Sequence, residues 1–184
     1  MVDSKFKTLE ELEIKIRVDM HRADPSALEV NSYDADVWNR EAVKPEQAFN
    51  QVKALFNRHK HVLKMSKKGK PYKVCLLAGH NTEKFDFKFL LSWWKRVSAD
   101  SFMPADFFTF DTLQMTSMLD AMEFFTQGVF KRKSLKLSDL VDFDDAHDAL
   151  ADVRATVDLA NKIYQVFNAS NTLQMWKFYR DLPQ

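Results

Sequence analysis

The chain has 184 residues, of which 46% are hydrophobic and 29% are charged, and its formal net charge is +1. This balance is typical of one folded globular domain and excludes a disordered chain. No apolar run approaches the roughly 20 residues of a membrane span, residues 1–15 lack the apolar stretch of a secretory signal, and Cys75 is the only cysteine, so we expect a cytoplasmic protein with no membrane contact and no intrachain disulfide.

The first half of the chain contains patterns for one strand and three helices. Leu12, Ile14, Ile16 and Val18 alternate with charged residues, which predicts a half-buried strand. Short helical pieces are predicted at Ala27–Val30 and Asp36–Glu41. Pro45 suits a first helical position, and the pattern predicts a helix from there to about His61.

The second half alternates between strands and helices. The apolar run Tyr72–Ala78 predicts a buried strand and Phe107–Asp111 predicts another. Helices are predicted at Glu83–Val97, from Asp111 to about Phe125, within residues 134–143, from Asp148 to about Phe167, and in the terminal segment 171–182. Strands interleaved with helices indicate an α/β domain.

Two segments place short polar side chains where a strand passes into a helix, which is where α/β sheets hold ligands. AGHNTEKFDFKFL contains His80, Asn81 and Asp86 after the strand Tyr72–Ala78, and we interpret Asn81 as a helix N-cap rather than a catalytic residue. HDALADVRAT contains His147 and Asp152 at the start of the long late helix. The sequence therefore indicates a polar site formed by these two segments.

These two segments resemble the second and third motifs of the DEDDh family of 3'-5' exonucleases, which includes proofreading subunits of polymerases. The family has an HN…FD segment and an H-x-x-x-x-D segment, and DTLQM at Asp111–Met115 is similar to its strand end between them. HNTEKFD has one residue more than the commoner spacing. The resemblance implies a ribonuclease H-like mixed sheet flanked by helices in residues 1–168, with residues 169–184 as a C-terminal helical extension.

The resemblance also implies roles for three residues in phosphodiester hydrolysis. Two divalent cations about 4 Å apart activate water and stabilise the leaving oxygen in such sites, and Mg²⁺ or Mn²⁺ prefers carboxylate ligands. Asp152 would bind the metal on the nucleophile side, Asp86 would support the second metal, and His147 would accept the proton of the attacking water. The expected substrate is a single-stranded 3' end of DNA or RNA.

The family's first motif, a D-x-E on the central strand, is missing before Asp86. Glu11 and Glu13 have the right spacing but no Asp, and VDSKFKTLEELEIKI is similar to the family's second and third strands instead. Each Mg²⁺ would then have about one protein carboxylate, too few to replace its tightly held water. We therefore expect an N-terminally incomplete and inactive exonuclease, with a non-catalytic module that binds nucleic acid or a polymerase as the alternative.

Because the central strand is missing, we expect an open slot in the sheet. Its unpaired backbone N–H and C=O groups can pair with other strands. We expect self-association unless the N-terminal segment folds back into the slot.

Basic clusters at Arg58–Lys73 and Lys131–Lys133 leave two interpretations, a solvated loop or a phosphate-binding surface. Aromatic residues such as Trp38, Phe85 and Trp93 can stack on bases, but we assign them to core packing.

Overall fold

The computed structural model describes residues 1–121, 134–141 and 148–169. Its helices and strands are, in chain order, α1 (Pro25–Val30), α2 (Ala35–Glu41), α3 (Pro45–His59), β1 (Val62–Met65), β2 (Pro71–Gly79), α4 (Asp86–Val97), β3 (Ala105–Asp111), α5 (Thr112–Ala121), α6 (Leu137–Leu140) and α7 (Ala149–Ala169). The mixed α/β class expected from the sequence is therefore confirmed. No helix among these elements is both long and apolar enough to cross a membrane.

The sheet has three strands in the order β1-β2-β3. β1 and β2 form an antiparallel hairpin in which Val62 pairs with Val74 and Met65 with Pro71. The five residues between them turn the chain at Gly69, which has a φ of 72°, a value that glycine adopts without a steric penalty. α4 then carries the chain to β3, which runs parallel to β2 and pairs Gly79 with Asp111. The carboxyl ends of β2 and β3 therefore lie side by side.

One edge of β2 is only half covered. The pairing with β1 stops at Val74, whereas the Cys75 N–H donates to Pro104 on the β3 side. Because backbone groups of a strand alternate between its two edges, Leu76 and Ala78 direct theirs towards the β1 side. Among the described residues no strand pairs with β2 there, so this edge is open over Leu76–Gly79.

Two apolar clusters lie on the helical layers. One joins α3 and α4 to the sheet through Phe49, Phe56, Cys75 and Trp94, and Trp94 is 1% exposed. The other joins α5, α6 and α7 through buried residues that include Leu119, Leu140, Leu159 and Ile163, with Phe110 of β3 packed against it. Burial of such side chains is the main favourable contribution to folding.

Several predicted boundaries differ from the structure. The strand predicted from Leu12 to Val18 is wrong: only Ile16 forms an isolated bridge, to Val43, and Leu12 and Val18 are exposed. Alternation alone does not produce a strand when no partner strand lies alongside it. The helix predicted from Glu83 begins at Asp86, and β1 was not predicted. The basic run at residues 131–133 and the terminal helix at 171–182 lie outside the described residues.

The N-terminal segment folds back on the domain, though not as a strand of the sheet. Phe6 packs its ring against Phe110 and Tyr164, at centroid distances of 6.1 and 5.8 Å. Arg154 of α7 forms a bidentate ion pair with Glu11, at 2.8 and 2.7 Å. Glu10 pairs with Arg58 and accepts from His59 Nε2 at 2.7 Å. These contacts attach the segment to α3 and α7.

Glu10 makes the attachment of the N-terminal segment sensitive to acid. Its hydrogen bonds with Arg58, and then with His59, lower its pKa from 4.5 to about 2. A carboxyl group with a lowered pKa contributes stability above its unfolded pKa, and that contribution is lost as the pH falls from about 4.5 through about 2. We expect Glu10→Gln to remove this part of the pH dependence when thermal unfolding is followed between pH 7 and pH 2. Glu13→Gln, which changes an exposed neighbour, is the control; equal curves for Glu10→Gln and the unchanged chain would contradict the prediction.

Candidate functional site

A cavity of about 1050 Å³ lies where β2 ends and α4 begins, and residues of α7 between Ala149 and Ala160 also line it. Asp86 and Asp152 both line it, together with His80, Asn81 and Thr82. The N-terminal Val2 and Phe6 also line it, as do Ala78 and Gly79 at the open edge of β2. Two of the three residues predicted from the sequence therefore face a common space. His147 lies outside the described residues.

The β2–α4 turn is built on a close contact between Gly79 and Thr82. A Cβ added at Gly79 would lie 1.6 Å from Thr82 Oγ1 and 2.9 Å from its Cβ. The Thr82 side chain, which is only 4% exposed, fills the place of a side chain at position 79. The Thr82 hydroxyl also hydrogen-bonds the Asp86 carboxylate. The sequence G-H-N-T therefore sets the direction in which Asp86 leaves the sheet.

Asp86 opens onto the cavity in surroundings that disfavour its charge. Its pKa is raised, chiefly because neighbouring protein atoms displace water from the carboxylate, and the negative charge of Asp111 adds to this effect. The hydrogen bond from Thr82 acts in the opposite direction. A carboxyl group in such surroundings is stabilised as an anion when a cation lies beside it.

Asp111 is the residue that joins the two strand ends, and no role was assigned to it from the sequence. Its buried carboxylate accepts from the N–H groups of Asn81 at 2.9 Å and Glu83 at 3.2 Å. It also accepts from the N–H groups of Leu113 at 3.0 Å and Gln114 at 3.4 Å, which makes it the N-cap of α5. An Asp directly before a helix is a cap signal, but its bonds to the β2–α4 turn depend on the sheet.

Asn81 does not cap α4, so that interpretation is wrong. It lies five residues before the helix, where Phe85 is the cap residue, and its φ is 65°. Asn adopts this left-handed conformation more readily than most residues. The conformation turns the chain sharply after β2, and Asp111 holds the turn through the Asn81 N–H.

His80 lines the cavity and has a structural role there. Its Nε2 lies 2.9 Å from the Leu135 carbonyl oxygen, and its Nδ1 lies 3.0 Å from Thr112 Oγ1. Because a carbonyl oxygen only accepts, Nε2 carries the hydrogen and donates. His80 therefore connects the end of β2 to the start of α5 and to residues 134–136. Both ring nitrogens are used, which leaves neither to act on a substrate.

Asp152 lies in the first turn of α7 and is half-buried. The preceding Asp148 caps this helix, because its Oδ1 accepts from Leu150 N at 3.1 Å and from Ala151 N at 2.9 Å. With Asp148 as the cap, the Asp152 carboxylate is not needed for the helix start. Asp152 lines the same cavity as Asp86.

A substitution at Gly79 tests how tightly this turn is packed. We expect Gly79→Ala to lower the free energy of unfolding by about 1–3 kcal/mol, because the added methyl overlaps Thr82 and the turn must shift. Gly69→Ala is the matched control: nothing lies within 4 Å of its Cβ, so only the positive φ costs energy, about 1–2 kcal/mol. Thr82→Ala distinguishes the two variants. Added to Gly79→Ala it should recover part of the lost free energy of unfolding, whereas added to Gly69→Ala it should recover none. Urea unfolding measures the unchanged chain, the three single variants and the two double variants, and no recovery in Gly79→Ala with Thr82→Ala would contradict the packing account.

The described residues do not by themselves make a two-metal site. Among residues 1–121, 134–141 and 148–169, no group of three or more His, Cys, Asp or Glu side chains is placed to hold a metal ion. Asp86 and Asp152 supply two carboxylates to the cavity, and Mg²⁺ needs near-octahedral oxygen ligands. We therefore derive no catalytic step through a metal from these residues.

The comparisons with known proteins leave the family open. No protein-family model matches the chain, and a search of curated proteins gives no significant match. We therefore base a functional proposal on the motifs, on the α/β fold and on the cavity shared by Asp86 and Asp152.

Proposed function

We propose that the chain is the scaffold of a metal-dependent 3'-5' exonuclease of the DEDDh type, with a ribonuclease H-like fold, in a form that is inactive until a strand with two further carboxylates is added. The observation that carries the proposal is that Asp86 and Asp152 line one cavity at the carboxyl ends of parallel strands. Ligand sites of α/β sheets lie at such ends.

The open edge of β2 supports the missing-strand part of the proposal. The edge is unpaired over Leu76–Gly79 among the described residues, and Ala78 and Gly79 line the same cavity as the two carboxylates. An added strand paired there would run beside the strand end that leads to Asp86. Side chains at its carboxyl end would then reach the cavity.

The resemblance gives each remaining residue a role in the completed protein. Asp152 and Asp86 would hold Mg²⁺ or Mn²⁺, which supplies the water-activating and charge-stabilising chemistry of phosphodiester hydrolysis. His147 would hold the proton taken from the attacking water. The substrate would be a single-stranded 3' end of DNA or RNA, presented alone or by a polymerase.

The test is a cleavage assay with an oligonucleotide labelled at its 5' end. The 184-residue chain should leave it intact in Mg²⁺ or Mn²⁺. A chain with an added N-terminal strand containing Asp-X-Glu, which we call the strand-restored chain, should shorten it from the 3' end. Digestion by the 184-residue chain that persists in Asp152→Asn would contradict the proposal.

A non-catalytic nucleic-acid-binding module is the second candidate. It is favoured by the presence of only two acidic side chains, Asp86 and Asp152, among the described residues that line the cavity, and by an exposed aromatic and basic surface on α4. Binding of single strands without cleavage in the strand-restored chain would support it.

A further inference from the structure

The outward face of α4 carries aromatic and basic side chains that the protein core does not use. Phe85 and Phe89 are 58% and 63% exposed, and their ring centroids are 4.7 Å apart. The assignment of Phe85 to core packing is therefore wrong. The opposite face of the helix is buried through Trp94. Spacing of three and four residues puts Lys88, Ser92 and Arg96 on the same side as the two rings. We call Phe85, Lys88, Phe89, Ser92 and Arg96 the α4 stripe.

The charge of the α4 stripe suits an anionic partner. Lys88 and Arg96 are exposed, as are the adjacent Lys84 and Lys95. None of these four forms an ion pair with another residue that the structure describes. Exposed apolar residues that lie singly on a surface need no explanation. Phe85 and Phe89 are not single, because their rings contact each other and lie among cations that form no ion pair with a described residue. Aromatic faces between cations are the usual surface for single-stranded nucleic acids.

The α4 stripe is also continuous with the candidate site. A groove of about 560 Å³ runs along the helix and is lined by Lys88, Phe89, Leu90, Ser92, Trp93 and Arg96. Leu90 lines both this groove and the cavity that holds Asp86, and Phe85 lines the cavity beside Asp86. A single strand of nucleic acid whose 3' end lies in the cavity therefore extends along α4, where its bases and phosphates meet the α4 stripe.

We propose that the α4 stripe binds the single strand of nucleic acid on the 5' side of the terminal nucleotide. This inference rests on the proposed function, since it extends the path of the same substrate. Phe85 and Phe89 stack on successive bases, and Lys88 and Arg96 contact the phosphates between them. Stacking on any base is tolerated, so the surface binds oligo-dT and oligo-rU alike.

The test measures binding by the full 184-residue chain, with fluorescein-labelled oligo-dT and oligo-rU of twelve residues and fluorescence anisotropy as the readout. Phe89→Ala should weaken binding by roughly 5- to 150-fold, the loss of one stacked base. Phe89→Trp should keep it. Phe102→Ala, which removes a ring that is 62% exposed elsewhere, should leave the affinity unchanged.

A second readout separates stacking from phosphate contact. Lys88→Ala with Arg96→Ala should reduce the slope of log affinity against log salt by about 1.4, because each phosphate contact on a single strand contributes about 0.7. Lys162→Ala, an exposed cation of α7, should not change that slope. A Phe89→Ala chain that binds as well as the unchanged one, or an unchanged salt slope in the double variant, would overturn the proposal.

Failure of this inference is distinguishable from failure of the proposed function. If the strand-restored chain removes 3' nucleotides while the stripe variants bind normally, only the inference is wrong. If the stripe variants lose binding while the strand-restored chain cuts nothing, only the exonuclease proposal is wrong. Absence of binding to either oligonucleotide also overturns the inference and leaves the α4 stripe as a surface for another protein.

Discussion

Replacing His147 by alanine in the strand-restored chain is expected to lower the rate of 3' nucleotide removal by about 10²–10⁴-fold, the usual contribution of a general base. The reason is that the attacking water must lose a proton, and an imidazole with a pKa near neutrality accepts it at physiological pH. Single-turnover cleavage of a 5'-labelled oligonucleotide measures the rate without the contribution of product release.

The controls for His147→Ala isolate its chemistry. His21→Ala changes an exposed histidine near the N-terminus and should leave the rate unchanged. Asp152→Asn and Asp86→Asn should each reduce cleavage to the background, because each removes a carboxylate from the shared cavity. If the cleavage rate of His147→Ala is within about threefold of the rate of the strand-restored chain, general-base catalysis by this residue is excluded.

Replacing Asp111 by alanine is expected to lower the free energy of unfolding by about 2–4 kcal/mol, because four N–H groups lose a buried charged acceptor. The melting temperature should fall by roughly 2–4 °C for each kcal/mol in a chain of this length. The effect is also local: amide hydrogen exchange at Asn81 and Glu83 should accelerate, since both N–H groups depend on this carboxylate.

Two further variants make the Asp111 prediction specific. Asp111→Asn keeps the acceptor Oδ1 but turns an amide towards the Glu83 N–H, so its stability should lie between the alanine variant and the unchanged chain. Asp100→Ala removes an exposed carboxylate with no such role and should change the stability by less than about 0.5 kcal/mol. Unchanged exchange at Asn81 in Asp111→Ala would contradict the proposed connection between the strand ends.

Local patterns predicted most helices because their signals are local. Pro45 marks the start of α3, and the apolar spacing within α3 follows one face, so both signals are present in the sequence itself. The segment Leu12–Val18 carries an equally clear alternation, yet within the described part of the chain its only pairing is the bridge between Ile16 and Val43. Whether a strand forms depends on a partner, which a local pattern does not contain. The hairpin strand β1 was missed although Gly69 in a short loop before an apolar run is a hairpin signal.

The candidate site was predictable in its residue types but not in its connections. Asp86 and Asp152, one from each of the two motifs, line one cavity. The roles of Asp111, His80 and Gly79 depend on the side-by-side ends of β2 and β3, which place residues about 30 positions apart in contact. The exposure of Phe85 was likewise missed, because the sequence does not specify which face of α4 packs on the sheet.

The most direct test of the central claim is the binding of Mn²⁺, measured by the loss of the free-ion signal in electron paramagnetic resonance. The claim is that Asp86 and Asp152 form part of a metal centre that an added acidic strand completes. We expect the strand-restored chain to bind two Mn²⁺, the 184-residue chain to bind Mn²⁺ only weakly, and Asp86→Asn and Asp152→Asn each to reduce binding by the restored chain. Two Mn²⁺ bound by the 184-residue chain regardless of both substitutions, or none bound by the restored chain, would contradict it.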